Sequence, residues 1–301
     1  MYAITGATGN IGSKVTDILL SKGEKVRVIG RDAARLQHFV DKGAKAAVGD
    51  LADQGFLTRA FTGATAVFAM IPPNYSATDF RAYQDEIGKS IATAIKEAQV
   101  SHVVNLSSQG AELAEGTGPI VGLHEQEKRL NSLPDVNILH LRATYFMENL
   151  LNYIPIINRL GFAGSAIRGK QRFAMIATRD IANRVAGHLV KRDFHGKVIK
   201  DLLGQRDLTL EEAFAIIGRK IGKPDLRYVE FTYLDTEKGM IESGLSPDIS
   251  RLFIEMSRAL NNGLFAVKRP RTIENTTPTS IEEFAYTFAA AFETASHKKA
   301  A

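Results

Sequence analysis

The stretch Tyr2–Gly12, Y-A-I-T-G-A-T-G-N-I-G, constrains the fold more than any other part of the chain. A short apolar run (Tyr2, Ala3, Ile4) is followed by glycines at Gly6, Gly9 and Gly12. Behind them comes an amphipathic pattern with Ile11, Val15, Ile18 and Leu19 on one stripe. Strand, glycine loop and helix is the order a dinucleotide phosphate site requires. The first glycine permits the tight turn and the second lets the backbone approach a pyrophosphate. The third allows close helix–strand contact, and the helix N-terminus turns its N–H groups to the anion. Gly6, Thr8, Gly9, Asn10, Ile11 and Gly12 are therefore the first candidate cofactor-binding residues.

The pattern that follows alternates strand and helix. Strands are expected at Lys25–Ile29, Lys45–Val48, Thr65–Ile71, His102–Leu106 and Asn137–Leu141. Helices opened by Asp32 and Asp53 and a long helix over Asp79–Gln99 lie between them, with another near Val121–Asn131. Continuous apolar strands between helices long enough to cross back describe a parallel sheet covered on both faces. The fold class is α/β: a Rossmann-type doubly wound parallel sheet with a smaller, mostly helical C-terminal lobe. The boundary is drawn at 148/149, with a stretch near 178–204 expected to return to the sheet. Phe146–Leu160 reads as a helix that Pro155 should kink or end.

Composition removes several function classes. The chain has 301 residues and no cysteine, which excludes disulfides, thiolate metal sites and a cysteine nucleophile. No histidine pairing has metal-ligand spacing, so no metal site is expected. The net charge of +5 is spread along the sequence, with tight basic clusters only at 268–271 and 298–299, and no nucleic-acid partner is expected. No apolar run reaches membrane-spanning length, so neither a membrane partner nor a location outside the cytoplasm is expected.

The place where an acid would hold the ribose hydroxyl of NAD carries Gly30 followed by Arg31. A small residue beside a guanidinium makes room and charge for a 2′-phosphate, favouring NADPH over NADH. Asp50 and Leu51 follow the third strand, where related folds hold adenine; Asp50 is equally suited to opening a helix. Met70 and Pro72, with Pro73 and Asn74 beyond, follow the fourth strand, where the nicotinamide half of a dinucleotide should pass.

The wording Thr5–Gly12 resembles the extended and atypical short-chain dehydrogenase/reductases. The segment Leu141-Arg142-Ala143-Thr144-Tyr145-Phe146-Met147-Glu148-Asn149 is similar to the Leu-Arg-Pro-x-x-Phe-Met-Glu-Asn signature of the NmrA-like proteins, with Ala143 in place of proline. The resemblance to short-chain dehydrogenases implies a serine at the end of the fifth strand, filled by Ser107 or Ser108, and a Tyr-x-x-x-Lys pair on the next helix. Here the lysine is Lys128 and the tyrosine is replaced by His124. Lys128 then belongs to both the cofactor-binding and the catalytic sets, with Ser107 in the first and His124 and Tyr145 in the second. Histidine is a side chain able to donate a proton near neutrality. The family implies an NADPH-dependent reductase of quinone-like or azo aromatic acceptors. Its alternative is a non-catalytic NADP(H)-sensing regulator that binds a protein partner. A nucleotide-sugar epimerase fits less well because it would want the tyrosine. A homodimer is left open.

Overall fold

The computed structural model describes residues 1–266 and 269–300, with side chains through residue 296. Lys268 of the first basic cluster and the Lys298–Lys299 side chains lie outside the described residues. In chain order the strands are β1 (Tyr2–Ile4), β2 (Val26–Gly30), β3 (Lys45–Val48), β4 (Ala66–Ala69), β5 (His102–Ser108), β6 (Asn137–Ala143), β7 (Tyr145–Phe146), β8 (Ala163–Ser165), β9 (Phe173–Ile176), β10 (Lys197–Leu202), β11 (Asp207–Leu208) and β12 (Tyr228–Glu230). The helices are α1 (Gly12–Ser21), α2 (Ala33–Val40), α3 (Gln54–Phe61), α4 (Phe80–Glu97), α5 (Val121–Asn131), α6 (Ile154–Leu160), α7 (Thr178–Lys191), α8 (Leu210–Lys220), α9 (Tyr233–Glu242), α10 (Pro247–Asn261) and α11 (Ile281–Ala300).

Two compact units share these elements. The first holds Met1–Ala114, Pro119–Arg142 and Arg179–Asp201. The second holds Glu115–Gly118, Ala143–Thr178 and the chain from Leu202 onward. The first is organised on a seven-stranded sheet of order β10-β6-β5-β4-β1-β2-β3. The pairs β1–β2, β1–β4, β2–β3 and β4–β5 all run parallel. This is the doubly wound order, with its switch point between β1 and β4, and ligands bind such sheets outside the carboxyl ends of the strands.

Local chemistry sets the helix starts. Asp32 accepts from the N–H groups of Ala34 and Arg35, Asp53 from Phe56 and Asp79 from Ala82, each satisfying a donor the helix leaves unpaired. One face of the sheet packs Ala3, Ile29, Val67 and Val103 against Leu57, Phe61, Ile87, Ile91 and Ile95 of α3 and α4. All four residues of β4 are buried, as a strand covered on both faces requires.

The second unit departs from the sequence reading in two ways. The single helix expected over 146–160 is three elements: β7, a 3-10 helix (Met147–Tyr153) and α6. Pro155 does not end a helix but begins one, in the first turn of α6, where its missing N–H costs nothing. Besides its helices this unit carries two small sheets, β11-β9-β7 and β12-β8. Their strands, Ala163–Ser165 and Tyr228–Glu230 among them, are too short for a two-residue period to stand out. Among the described residues no helix is long and apolar enough to cross a membrane.

Candidate functional site: the carboxyl edge of the sheet

The first unit gathers most of the expected residues at the carboxyl ends of β1 to β5. Gly6 adopts a left-handed φ of 62°, and a Cβ there would lie 2.6 Å from the Met70 sulfur, so the loop after β1 turns against the end of β4. Thr5 locks the same junction. Its Oγ1 donates to the Phe68 carbonyl at 3.1 Å and accepts from the Met70 N–H at 3.0 Å. Gly12 is required by contact: a Cβ would meet the Gly6 carbonyl oxygen at 2.2 Å. At Gly9 the only neighbour within 4 Å would be that same oxygen at 3.3 Å, which leaves open space over the middle of the loop. Ile11, at the N-cap of α1, supplies no side-chain cap, so Thr8, Asn10 and Ile11 lead into a helix start fit to receive an anion.

One guanidinium reaches this loop and another follows the neighbouring strand β2. Arg31 is exposed just beyond β2. Arg35, one helical turn later, donates from Nη2 to the Thr8 carbonyl at 3.1 Å. The sequence reading missed Arg35, although its place in the first turn after Arg31 was a usable signal. Asp32 caps α2 through Oδ1, which accepts from the Ala34 and Arg35 N–H groups. Asp50 spends one carboxylate oxygen on the Ala52 N–H at 2.9 Å, while Asp53 opens α3. Leu51 is buried in the core.

Tyr83 also belongs here and was not foreseen. Its hydroxyl donates to the Pro72 carbonyl at 2.8 Å. Burial raises its phenol above the ordinary value, Arg31 pulls against that rise and Asp50 adds to it, so all three share one neighbourhood. Asn74 makes a tight turn by accepting from the N–H and hydroxyl of Ser76.

At the other end of the edge, α5 carries His124 and Lys128. His124 is half-buried with Nδ1 2.9 Å from the Ala111 carbonyl. A carbonyl only accepts, so Nδ1 bears the hydrogen, and Nε2 carries a proton only in the imidazolium. Lys128 is exposed, its Nζ 3.4 Å from both carboxylate oxygens of Glu125. Ser107 is buried and donates to Glu127 at 2.5 Å. Ser108 donates to the Gln109 carbonyl at 3.0 Å.

Tyr145 belongs to the second unit. Its ring packs 5.2 Å from Phe173, near the hydroxyl group of Tyr153, which bonds to Ser165 and through it to Tyr228. Burial pushes the Tyr145 phenol well above its usual value. Among the described residues no set of three His, Cys, Asp or Glu is gathered for a metal.

The model of one family, the NmrA-like family, matches residues 2–292. The chain belongs to the NmrA-like family. Quinone oxidoreductase 2 of Escherichia coli (strain K12) is 27% identical over 271 residues, covering 88% of this chain and 90% of that one. The E. coli quinone oxidoreductase QOR2 crystallised with NADPH superposes with a TM-score of 0.80 at 21% identity, over 95% of this chain and 99% of that one. The Citrobacter triphenylmethane reductase complexed with NADP(H) gives 0.81 at 18% identity, over 96% and 100%. At that identity the two structures establish the fold. Within this NmrA-like chain, the β1 end of the edge carries the open glycine loop, and the α5 end carries His124.

Proposed function

We propose that the chain is an NADPH-dependent reductase that passes hydride to a flat aromatic acceptor of the quinone or azo class. The observation that carries the reading is the open glycine loop with Arg31 and Arg35 beside it. Space over Gly9, an uncapped helix start and two cations fit a dinucleotide bearing an extra phosphate. Gly6, Thr8, Gly9, Asn10, Ile11 and Gly12 hold the pyrophosphate, and Arg31 with Arg35 the 2′-phosphate. Asp50, Leu51 and Tyr83 border the adenine, with Met70 and Pro72 on the path toward the nicotinamide. When bound, NADPH supplies the hydride.

The chain's own share of the chemistry falls to α5. Lys128 brings positive charge to the oxygen that gains electrons, in competition with Glu125. His124, with Nδ1 committed to Ala111, gives up a proton from Nε2 as the imidazolium. A quinone suits a site without the tyrosine, because its reduced oxygen is a stabilised, weakly basic anion. Quinone and dye reductases among the structural relatives support an aromatic acceptor and favour the enzyme over a sensor. The reading places the protein in the cytoplasm, where NADPH is supplied. A homodimer is tested by sedimentation.

The deciding experiment follows NADPH oxidation against a panel of quinones, azo dyes, triphenylmethane dyes and simple carbonyls. Turnover of quinones or dyes well above carbonyls is expected. Tight NADPH binding with no acceptor reduced would replace the reductase by a sensor.

A further inference from the structure

Behind the His124–Lys128 face of α5 lies a buried cluster that the proposed chemistry does not use. Glu127 Oε1 accepts from Ser107 at 2.5 Å and from Arg142 Nε at 3.0 Å, while Oε2 accepts from Arg142 Nη2 at 2.6 Å. Arg142 Nη1 reaches Glu112 at 3.2 Å. Glu127 and Ser107 are 5% and 3% exposed. The Glu127 hydrogen bond raises the Arg142 guanidinium further above its already high value. A carboxylate gripped by such a fork has no hydrogen to give. Ser107 must therefore be the donor, and a hydroxyl has one hydrogen.

We propose that Glu127, clamped by Arg142, is a positioning residue that draws the Ser107 proton inward, so that Ser107 meets a ligand only as a hydrogen-bond acceptor. Ser108 spends its proton likewise, on Gln109. Neither serine at the end of β5 then donates to an acceptor oxygen, and the donors left on α5 are His124 and Lys128. A buried ion pair is a poor way to gain stability, since apolar residues of similar volume usually do as well. Its position supports a directing role instead. Glu127 follows His124 by three residues, precedes Lys128 by one, and is tied to the carboxyl ends of β5 and β6.

The consequence for turnover rests on the reductase reading; the direction of the Ser107 proton does not. Proton NMR of the ligand-free protein tests the direction. A slowly exchanging hydroxyl resonance is expected, assigned by its loss in Ser107→Ala and moved or lost in Glu127→Met. Glu127→Gln keeps the shape and an amide oxygen should the methionine variant not fold. Kinetics test the role. Glu127→Gln should lower kcat for a quinone by about ten- to a hundredfold with the Kd for NADPH little changed. Glu127→Asp should restore part of that loss, which a purely structural role would not predict. A hydroxyl signal indifferent to Glu127, or a wild-type kcat in Glu127→Gln, overturns the proposal. If the wild type reduces no acceptor, the reductase reading fails while the NMR result still decides the proton's direction.

Discussion

At the β1–β3 end of the carboxyl edge, the surface is backbone and exposed cation: a glycine loop, an uncapped helix start, Arg31 and Arg35. At the β5–β6 end it is backed by paired polar groups: the buried Ser107 and Glu127, the largely covered Arg142 and, two residues before Arg142 on β6, the buried His140. The first end can be emptied of a side chain and still fold. The second is held by partners that cannot be removed singly. A dinucleotide needs a pre-shaped surface, whereas proton placement needs side chains whose hydrogens have fixed directions.

The largest effect should come from breaking the buried end. Arg142→Met leaves Glu127 and Glu112 without their guanidinium, and stability should fall by about 3–5 kcal/mol, read by urea unfolding. A loss under about 1 kcal/mol would mean that the cluster is effectively solvated, as exposed ion pairs are.

His140 gives the same end a pH signature. It is fully buried, Nδ1 3.0 Å from Asn105 Nδ2 and Nε2 3.0 Å from Asn131 Oδ1, so the neutral ring is fully bonded. Burial lowers its pKa from 6.5 to about 4. Between those values the unfolded chain binds the proton more readily, so stability rises with pH there. The contribution is fully present above about 6.5, is lost as pH falls toward 4, and amounts to on the order of 3 kcal/mol. Urea unfolding across this range should show the slope in the wild type and a flatter one in His140→Gln. Equal slopes would assign the acid sensitivity to other groups.

The open end should fail differently. Gly9→Asp adds a Cβ that meets only one backbone oxygen, so the protein should fold and melt near the wild-type temperature. Its carboxylate would oppose the pyrophosphate, and NADPH affinity by calorimetry should fall about a hundredfold or more. Gly12→Ala, by contrast, collides with the Gly6 carbonyl and should harm folding first. Undiminished NADPH binding by folded Gly9→Asp would remove the phosphate site from this loop.

The contrast also explains what could be read in advance. Glycine spacing, apolar strands and Asp caps are local requirements, and β1 to β6 with their helices follow from them. Arg35 was within reach, one turn beyond Arg31. Glu127 was not: its partners Ser107 and Arg142 lie 20 and 15 residues away, and no local pattern pairs them. Lys128 stood out by spacing, yet the neighbouring glutamate is the one turned into the protein. The surroundings of Tyr145 were out of reach for a related reason: its ring partner Phe173 is 28 residues away in the sequence.

The smallest expected change sharpens the comparison at the two cations. A single charge-assisted contact contributes about 1.5–3 kcal/mol, so Arg31→Ala should weaken NADPH roughly ten- to a hundredfold while scarcely affecting NADH. Arg35 differs because one of its nitrogens already holds the Thr8 carbonyl. Arg35→Ala should therefore weaken both cofactors through the loop and NADPH somewhat more through lost charge. Calorimetry of both variants with both cofactors separates the roles. If Arg31→Ala weakens NADH as much as NADPH, Arg31 is shaping the loop rather than reading the 2′-phosphate. The discrimination would then belong to Arg35, whose variant should in that case show the larger NADPH-specific loss.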